Sequence, residues 1–346
     1  MQSEALDGAP EREALISGAM RGAVETLQDP YAQYYTAAEY EAYLSSINGA
    51  YYGVGMVIGQ SDAVGSPVLE VYEGNPAEKA GVKAGDIIIK VDGAAAANLP
   101  LEELRAKIDA PDGGAITLTL LRGQETLEIA VQGGPVNIKH VKGSLYNERT
   151  GYIKIDMFTG NCVNEFTEAL KDLKSRNMKS LVIDLRNNPG GSLDAVVAIA
   201  DALLGNGQTI VSVGEQGNAS NRVFKGKGSA WHIPLAVLVN ENSASASEIL
   251  AGAVQDNGIG AIVGMQTFGK GIVQTTMRVE RNGGWLKLTT DAYFTPSGKN
   301  IHGVGITPDI LVEMPEELIG TPLSKIDQAD DAQLWAALDY VREQAQ

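Results

Sequence analysis

Apolar positions recur three and four apart over residues 11–27, at Ala14, Leu15, Gly18, Ala19, Gly22 and Ala23, and the spacing predicts a short helix. Residues 36–44 repeat the pattern and predict a second. Asp29-Pro30-Tyr31 between them predicts a stop and a turn, because proline cannot extend a helical ladder and biases Asp29 away from helix. At Asn48-Gly49 the periodicity changes: residues 54–58, 68–71, 86–91 and 116–121 are short runs rich in β-branched side chains, separated by Gly, Asp and Pro, and they predict strands. Helical pieces are expected at 76–81 and 100–108, and Gly133-Gly134-Pro135 predicts the end of this β-rich module. Beyond it, the apolar runs 180–185 and 235–239 alternate with amphipathic stretches 193–204 and 246–254, which predicts an α/β unit with a largely parallel sheet. The expected organisation is therefore a helical arm over 1–50, a β-rich module over 51–135, and an α/β core with a C-terminal extension over 136–346.

At 346 residues the chain exceeds one ordinary hydrophobic core, which agrees with several units. Its formal charge of -16, with no dense Lys/Arg cluster, repels polyphosphate and argues against a nucleic-acid partner. Cys162 is the lone cysteine and His140, His232 and His302 lack metal-ligand spacing, so neither a disulfide, a metal nor another cofactor is expected. No apolar run reaches the length of a membrane span. Met1-Gln2-Ser3-Glu4 lacks the basic start and apolar stretch of a secretion signal, although a chain trimmed of its leader would read the same.

In a parallel sheet, ligands gather at the carboxyl ends of the strands, here the loops 187–191, 241–245 and 266–270. In the second of these, Ser245-Ala246-Ser247-Glu248 fits a Ser-x-x-Glu capping box, a purely structural role and a commoner one than catalysis. The same helix tip would also present free N–H groups, including that of Ala246, to a developing oxyanion. Lys270 follows 25 residues later between Gly269 and Gly271. A lysine is usually a solvated surface charge, but burial can lower its pKa enough for the neutral amine to take a hydroxyl proton. Gln274 lies four residues further on and could hold that amine, or be only a strand residue. A competing pattern overlaps: residues 264–270 match the first seven positions of a phosphate-binding loop, but Gly271 replaces the Ser/Thr that would bind magnesium, and 272–276 read as strand rather than helix. A Ser/His/Asp triad using His232 or His302 stays open on spacing alone.

Several segments together resemble the carboxyl-terminal processing peptidases, PDZ-containing serine proteases with a Ser-Lys dyad. These are Ser243-Ala244-Ser245-Ala246-Ser247-Glu248-Ile249 after Leu238-Val239-Asn240, Thr267-Phe268-Gly269-Lys270-Gly271 with Val273-Gln274, Asp184-Leu185-Arg186-Asn187-Asn188-Pro189-Gly190-Gly191, Tyr293-Phe294-Thr295-Pro296-Ser297-Gly298, and Gly305-Ile306-Thr307-Pro308-Asp309. With Asp29-Pro30-Tyr31 and Gly53-Val54-Gly55, the resemblance covers about residues 11–340.

The resemblance implies a crotonase/Clp-protease-like α/β core carrying a PDZ-like module and an N-terminal helical arm. It implies Ser245 as nucleophile, Lys270 as base and Gln274 as the residue positioning the lysine, with oxyanion amides from Gly190 or Gly191 and from Ala246. Tyr52, Gly53, Val54 and Gly55 would form the carboxylate loop of the PDZ-like module, and Met56, Val57 and Ile58 its edge and pocket. Substrates would be polypeptides with free, apolar C-termini. An activating adaptor protein, a homodimer or larger homo-oligomer, and an extracytoplasmic location are further expectations. Asp109 stands near a position where many relatives carry an arginine that links bound peptide to activation, and an acidic side chain cannot do that. Asp256 falls where relatives carry a helix-end aspartate that affects activity. The competing readings are a non-catalytic PDZ peptide-binding scaffold and a nucleotide hydrolase.

Overall fold

The computed structural model describes residues 11–48, 50–109, 113–147, 149–215, 221–229 and 231–345, so Gly49 and the segment Met1-Gln2-Ser3-Glu4 lie outside the described residues. In chain order the helices are α1 (Arg12–Glu25), α2 (Ala37–Asn48), α3 (Pro76–Ala80), α4 (Leu101–Ile108), α5 (Cys162–Ser175), α6 (Leu193–Asp201), α7 (Ala246–Asp256) and α8 (Ala332–Gln344). The chain divides into two compact units, Asn48–Lys139 and the remainder, formed by Met1–Ile47 with His140–Gln346.

In the smaller unit the strands run in the order Met56–Ile58, Ser66–Val71, Ile87–Val91, Ala115–Arg122 and Glu125–Gln132, with antiparallel neighbours. Val68, Ile88, Leu118 and Leu120 alternate inward and meet Leu104 and Ile108 of α4 in one core. The first strand begins at Met56, two residues later than the pattern predicts, because Gly55 adopts φ +80 and breaks the extended run. Gly134–Asn137, which follows Gly133, pairs antiparallel with Ala50–Gly53 in this same unit.

The larger unit is built on a sheet ordered Val141–Tyr146, Thr150–Ile155, Ser180–Asp184, Leu235–Val239, Ala261–Gly264 and Ile310–Leu311. The first pair is antiparallel and all later pairs are parallel. The stretches Leu181-Val182-Ile183, Leu235–Val239 and Ala261-Ile262-Val263 are apolar because both faces of the sheet are covered there. Leu181, Ile183, Leu235, Val237 and Val239 pack with α5, α6 and α7, whereas Val182, Ala236 and Leu238 pack with Leu334, Ala337, Leu338 and Val341 of α8. Successive side chains of a strand point to opposite faces, so a continuous apolar run is what a doubly covered sheet demands.

A second, antiparallel sheet joins Gln33–Tyr35, Trp285–Phe294, Thr209–Gly214 and Arg222–Lys225, with Ile272–Arg278 also paired to Trp285–Phe294. Gln33–Tyr35, between α1 and α2, thereby belongs to the same sheet as the strand that follows Lys270.

Candidate active site

Three consecutive parallel strands end beside one another and deliver the three loops singled out above. Ser180–Asp184 leads through residues 185–192 into α6, and Leu235–Val239 leads through residues 240–245 into α7. Ala261–Gly264 leads through residues 265–271 into the strand Ile272–Arg278. That last element is extended, so the Gly264–Lys270 pattern has no helix start behind it to cradle a phosphate.

Two buried side chains lash these loops together. Asn188 sends its Nδ2 to the Ile155 carbonyl at 2.8 Å and takes the Gly190 N–H on Oδ1 at 2.8 Å. Its own carbonyl accepts from Ala244 N at 3.0 Å and Ser247 Oγ at 2.9 Å, tying the glycine loop to the start of α7. Glu248, fully buried, does the same between the other two loops. Oε2 accepts from Ser245 N at 2.8 Å and Lys270 N at 2.9 Å, and Oε1 accepts from Gly269 N at 2.7 Å and Thr267 Oγ1 at 2.6 Å. The glutamate of the capping box therefore fixes the backbone of both Ser245 and Lys270.

The three serines of the 243–247 run have different fates. Ser243 is buried, donates to the Leu185 carbonyl at 2.8 Å and accepts from Asn240 N at 2.9 Å. Ser247 is buried against Asn188. Ser245 is only half-buried, at the N-cap of α7, with φ +55 and ψ −113. That backbone conformation is unfavourable for any residue with a Cβ and is a form of strain found at functional sites. It is held by the Glu248 carboxylate and by Tyr293, whose hydroxyl donates to the Ser245 carbonyl at 3.1 Å.

Gly190 abuts the serine so closely that a Cβ there would lie 2.8 Å from Ser245 Cβ and 3.0 Å from Ala246 N. Its N–H is already given to Asn188, whereas the N–H groups of Gly191 and Ala246 donate to no described residue.

Lys270 is half-buried. Burial holds its amine below the ordinary lysine range, and the positive charge of Lys287 adds to the effect, against the pull of Asp29 and Glu248. Its Nζ lies 4.6 Å from the centroid of the Tyr31 ring, and no hydrogen bond joins it to Ser245 Oγ or to the Gln274 amide among the described residues. Gln274 Nε2 instead donates to Thr289 Oγ1 at 3.4 Å, across a register shift in the strand pair. Ser245, Lys270, Gly190, Gly191 and Ala246 are thus brought together by shared loops, while Gln274 lies on the neighbouring strand.

In the smaller unit, Tyr52 and Gly53 sit in the short pairing with Gly134–Asn137, Val54 is buried in the core, and Met56, Val57 and Ile58 form the edge strand of the five-strand path. Gly55 is needed where it is, since a Cβ there would press on Asn75. Asp109 ends α4, and Asp256 ends α7, where Oδ2 accepts from Ser297 N at 2.9 Å. Asn188, Tyr293 and Tyr31 are functional candidates that sequence reasoning misses as individual residues, and Glu248 is seen there only as a cap.

Residues 149–312 match peptidase family S41 and residues 68–122 match the PDZ domain. A carboxy-terminal-processing protease of Bartonella bacilliformis is 37% identical over 88% of this chain and 71% of its own length. A Staphylococcus haemolyticus protein named "Probable CtpA-like serine protease" is 35% identical over 87% of this chain. The chain spans 61% of the length of that relative. Among solved structures, a photosystem II D1 C-terminal processing protease superposes with TM-score 0.55 at 29% identity, covering 90% of this chain and 86% of that one. The mixed α/β fold is that of an S41 peptidase with a PDZ domain. The chain belongs to the carboxy-terminal-processing proteases of that family.

Proposed function

We propose that this chain is a serine endopeptidase that cleaves polypeptides with exposed apolar C-termini through an acyl-enzyme on Ser245. The observation that carries the reading is the contrast among the three serines: two are buried, and Ser245 alone is half-exposed, at the capping-box position of a strained helix tip beside two N–H groups that donate to no described residue. Lys270 as a neutral amine takes the Oγ proton while Oγ adds to the scissile carbonyl carbon. The oxyanion is received by the Gly191 and Ala246 N–H groups, Gly190 being occupied by Asn188. Collapse breaks the C–N bond, Lys270 returns its proton to the departing amine, and water, deprotonated by the same lysine, releases the acyl group. Gln274 steadies the Lys270 amine in the competent form, and its long bond to Thr289 at 3.4 Å is cheap to exchange.

The substrate tail adds as a strand to the edge Met56–Ile58, with its carboxylate at Tyr52-Gly53-Val54-Gly55. The lack of an arginine at Asp109 removes one means of sensing that carboxylate. No described helix is long and apolar enough to cross a membrane. We place the protein outside the cytoplasm by its family, working with an activating adaptor and as a homodimer or larger homo-oligomer.

The test is a fluorophosphonate or β-lactone trap followed by peptide mass spectrometry. The expected adduct maps to Ser245 and is absent from Ser245→Ala, and an adduct on any other serine, or cleavage of a disordered substrate undiminished by Lys270→Ala, would remove the assignment. Glu248→Gln gives a second expectation. The amide nitrogen would face N–H donors that the carboxylate accepts, so the variant should lose about 10²-fold in kcat/KM or more and melt lower. Unchanged acylation in Glu248→Gln would show that the two loops hold their places without it.

A further inference from the structure

Lys270 Nζ lies against the arm between α1 and α2. It sits over the ring of Tyr31, 4.6 Å from the centroid, within the range where a cation is attracted to an aromatic face. Tyr31 is held firmly. Asp29 Oδ1 accepts the Tyr31 N–H at 2.9 Å, the Asp29 carbonyl accepts from Ala32 N at 3.1 Å, and the chain then enters Gln33–Tyr35, which pairs with Trp285–Phe294 through Gln33↔Lys287 and Tyr35↔Trp285. Tyr40 stacks on Trp285 with ring centroids 3.9 Å apart and anchors α2 to the same strand. Since Ile272–Arg278, the strand that follows Lys270, also pairs with Trp285–Phe294, the tyrosine and the lysine are referenced to one sheet.

The neighbouring Lys287 shows the contrast. Its Nζ lies over the Tyr35 and Tyr43 rings at 5.5 and 5.1 Å and also donates to Tyr35 Oη at 3.0 Å, so its charge has a conventional acceptor. Lys270 has the ring face of Tyr31 and no hydrogen-bond acceptor among the described residues.

We infer that Tyr31 is a positioning residue for the base: its ring face holds Lys270 as an ammonium with no hydrogen bond to Ser245 Oγ, and the amine must leave that face to take the serine proton. The inference rests on the reading of Lys270 as general base. A ring face attracts the ammonium and not the neutral amine, so it opposes the burial and the Lys287 charge that disfavour protonation, and it acts in the same sense as Asp29 on the arm and Glu248 on α7. A resting chain is thereby kept from acylating, and any event that shifts the Asp29-Pro30-Tyr31 turn releases the base.

The test uses the whole chain with three substitutions, Tyr31→Phe, Tyr31→Leu and Tyr31→Trp, and two measurements. Competitive acetylation followed by mass spectrometry titrates the Lys270 amine directly, and kcat/KM on a disordered polypeptide with an apolar carboxyl terminus is followed against pH. Tyr31→Leu should lower the Lys270 pKa by about half a unit, moving the acid limb of kcat/KM to lower pH by the same amount and raising the rate below that limb about threefold. Tyr31→Phe should leave both unchanged, and Tyr31→Trp, with the strongest ring face, should move both the other way. A Lys270 titration identical in Tyr31→Leu and Tyr31→Trp overturns the role of Tyr31 and leaves the base assignment to Lys270→Ala. A titration that moves while the rate profile stays put overturns the base assignment, and the positioning role with it.

Discussion

Replacing Ser245 by alanine or by glycine is expected to cut kcat/KM by about 10⁴-fold or more in both cases, while the glycine variant alone melts above the parent chain. The shared loss follows from deletion of the nucleophile. The difference follows from the backbone. At φ +55 and ψ −113, Ser245 occupies a region that costs a residue with a Cβ on the order of 1–3 kcal/mol. Alanine retains that cost and glycine does not, although glycine gives back roughly 0.5–1 kcal/mol in unfolded-state entropy. A net gain of about 1 kcal/mol corresponds to a rise of roughly 2–4 °C for a unit of this size. Cleavage of a disordered substrate and a thermal melt of each variant check both halves. Equal melting of the alanine and glycine variants would mean that the helix tip is relaxed, and that the geometry presenting Oγ is intrinsic to the loop rather than imposed by Glu248, Tyr293 and Gly190.

What the sequence makes legible here, and what it does not, divides along sequence distance. The helix-start grammar at Ser245-Ala246-Ser247-Glu248 is local, so the position of the serine on α7 can be read directly. The doubly covered strands announce themselves for the same reason, Leu235–Val239 as an unbroken apolar run and Ser180–Asp184 by its apolar centre Leu181-Val182-Ile183. The second role of Glu248 joins it to Gly269 and Lys270, 21 and 22 residues away, and no pattern within one helix contains that information. Tyr31 is more remote still: it reads as part of a turn, and only the pairing of Gln33–Tyr35 with Trp285–Phe294 carries it to the lysine.

Helix α8 is a different case. It lies in the stretch read as a C-terminal extension, yet Leu334, Ala337, Leu338 and Val341 are spaced as one apolar face, and that periodicity was the available signal. The helix-start pattern sets Ser245 apart by position, but its reading as nucleophile rests in the sequence on family resemblance, because burial, which separates Ser243 and Ser247 from Ser245, is a property of the folded chain.

The largest stability effect is expected at Arg186, which α8 makes central. Its guanidinium is 2% exposed and spans two carboxylates: it binds Asp184 Oδ2 at 2.7 Å and, through both terminal nitrogens, the two oxygens of Asp331 at 2.8 Å. Asp331 is also the N-cap of α8, accepting from Leu334 N at 3.0 Å, and Tyr152 Oη donates to Asp184 at 2.7 Å. The arginine therefore clamps α8 to the root of the glycine loop that abuts Ser245. Arg186→Met keeps the bulk but leaves two buried carboxylates without their cation, and should destabilise the larger unit by about 3–5 kcal/mol.

The pH dependence separates this account from a simple packing defect. In the parent chain burial would raise the Asp184 pKa, but the Arg186 charge and the hydrogen bonds from Arg186 and Tyr152 hold it below the ordinary carboxylate range. That stabilisation is fully present above the unfolded value of about 3.9 and is lost as pH falls through the lower folded value. In Arg186→Met the sign reverses: an unpaired buried carboxylate has its pKa raised, so the variant is penalised most at neutral pH and recovers as acid protonates it. Chemical denaturation at about pH 7.5 and pH 4.5 should therefore show the gap between parent and variant shrinking on the acid side. A gap of the same size at both pH values would place the cost in lost packing around the Arg186 side chain rather than in the stranded charges of Asp184 and Asp331.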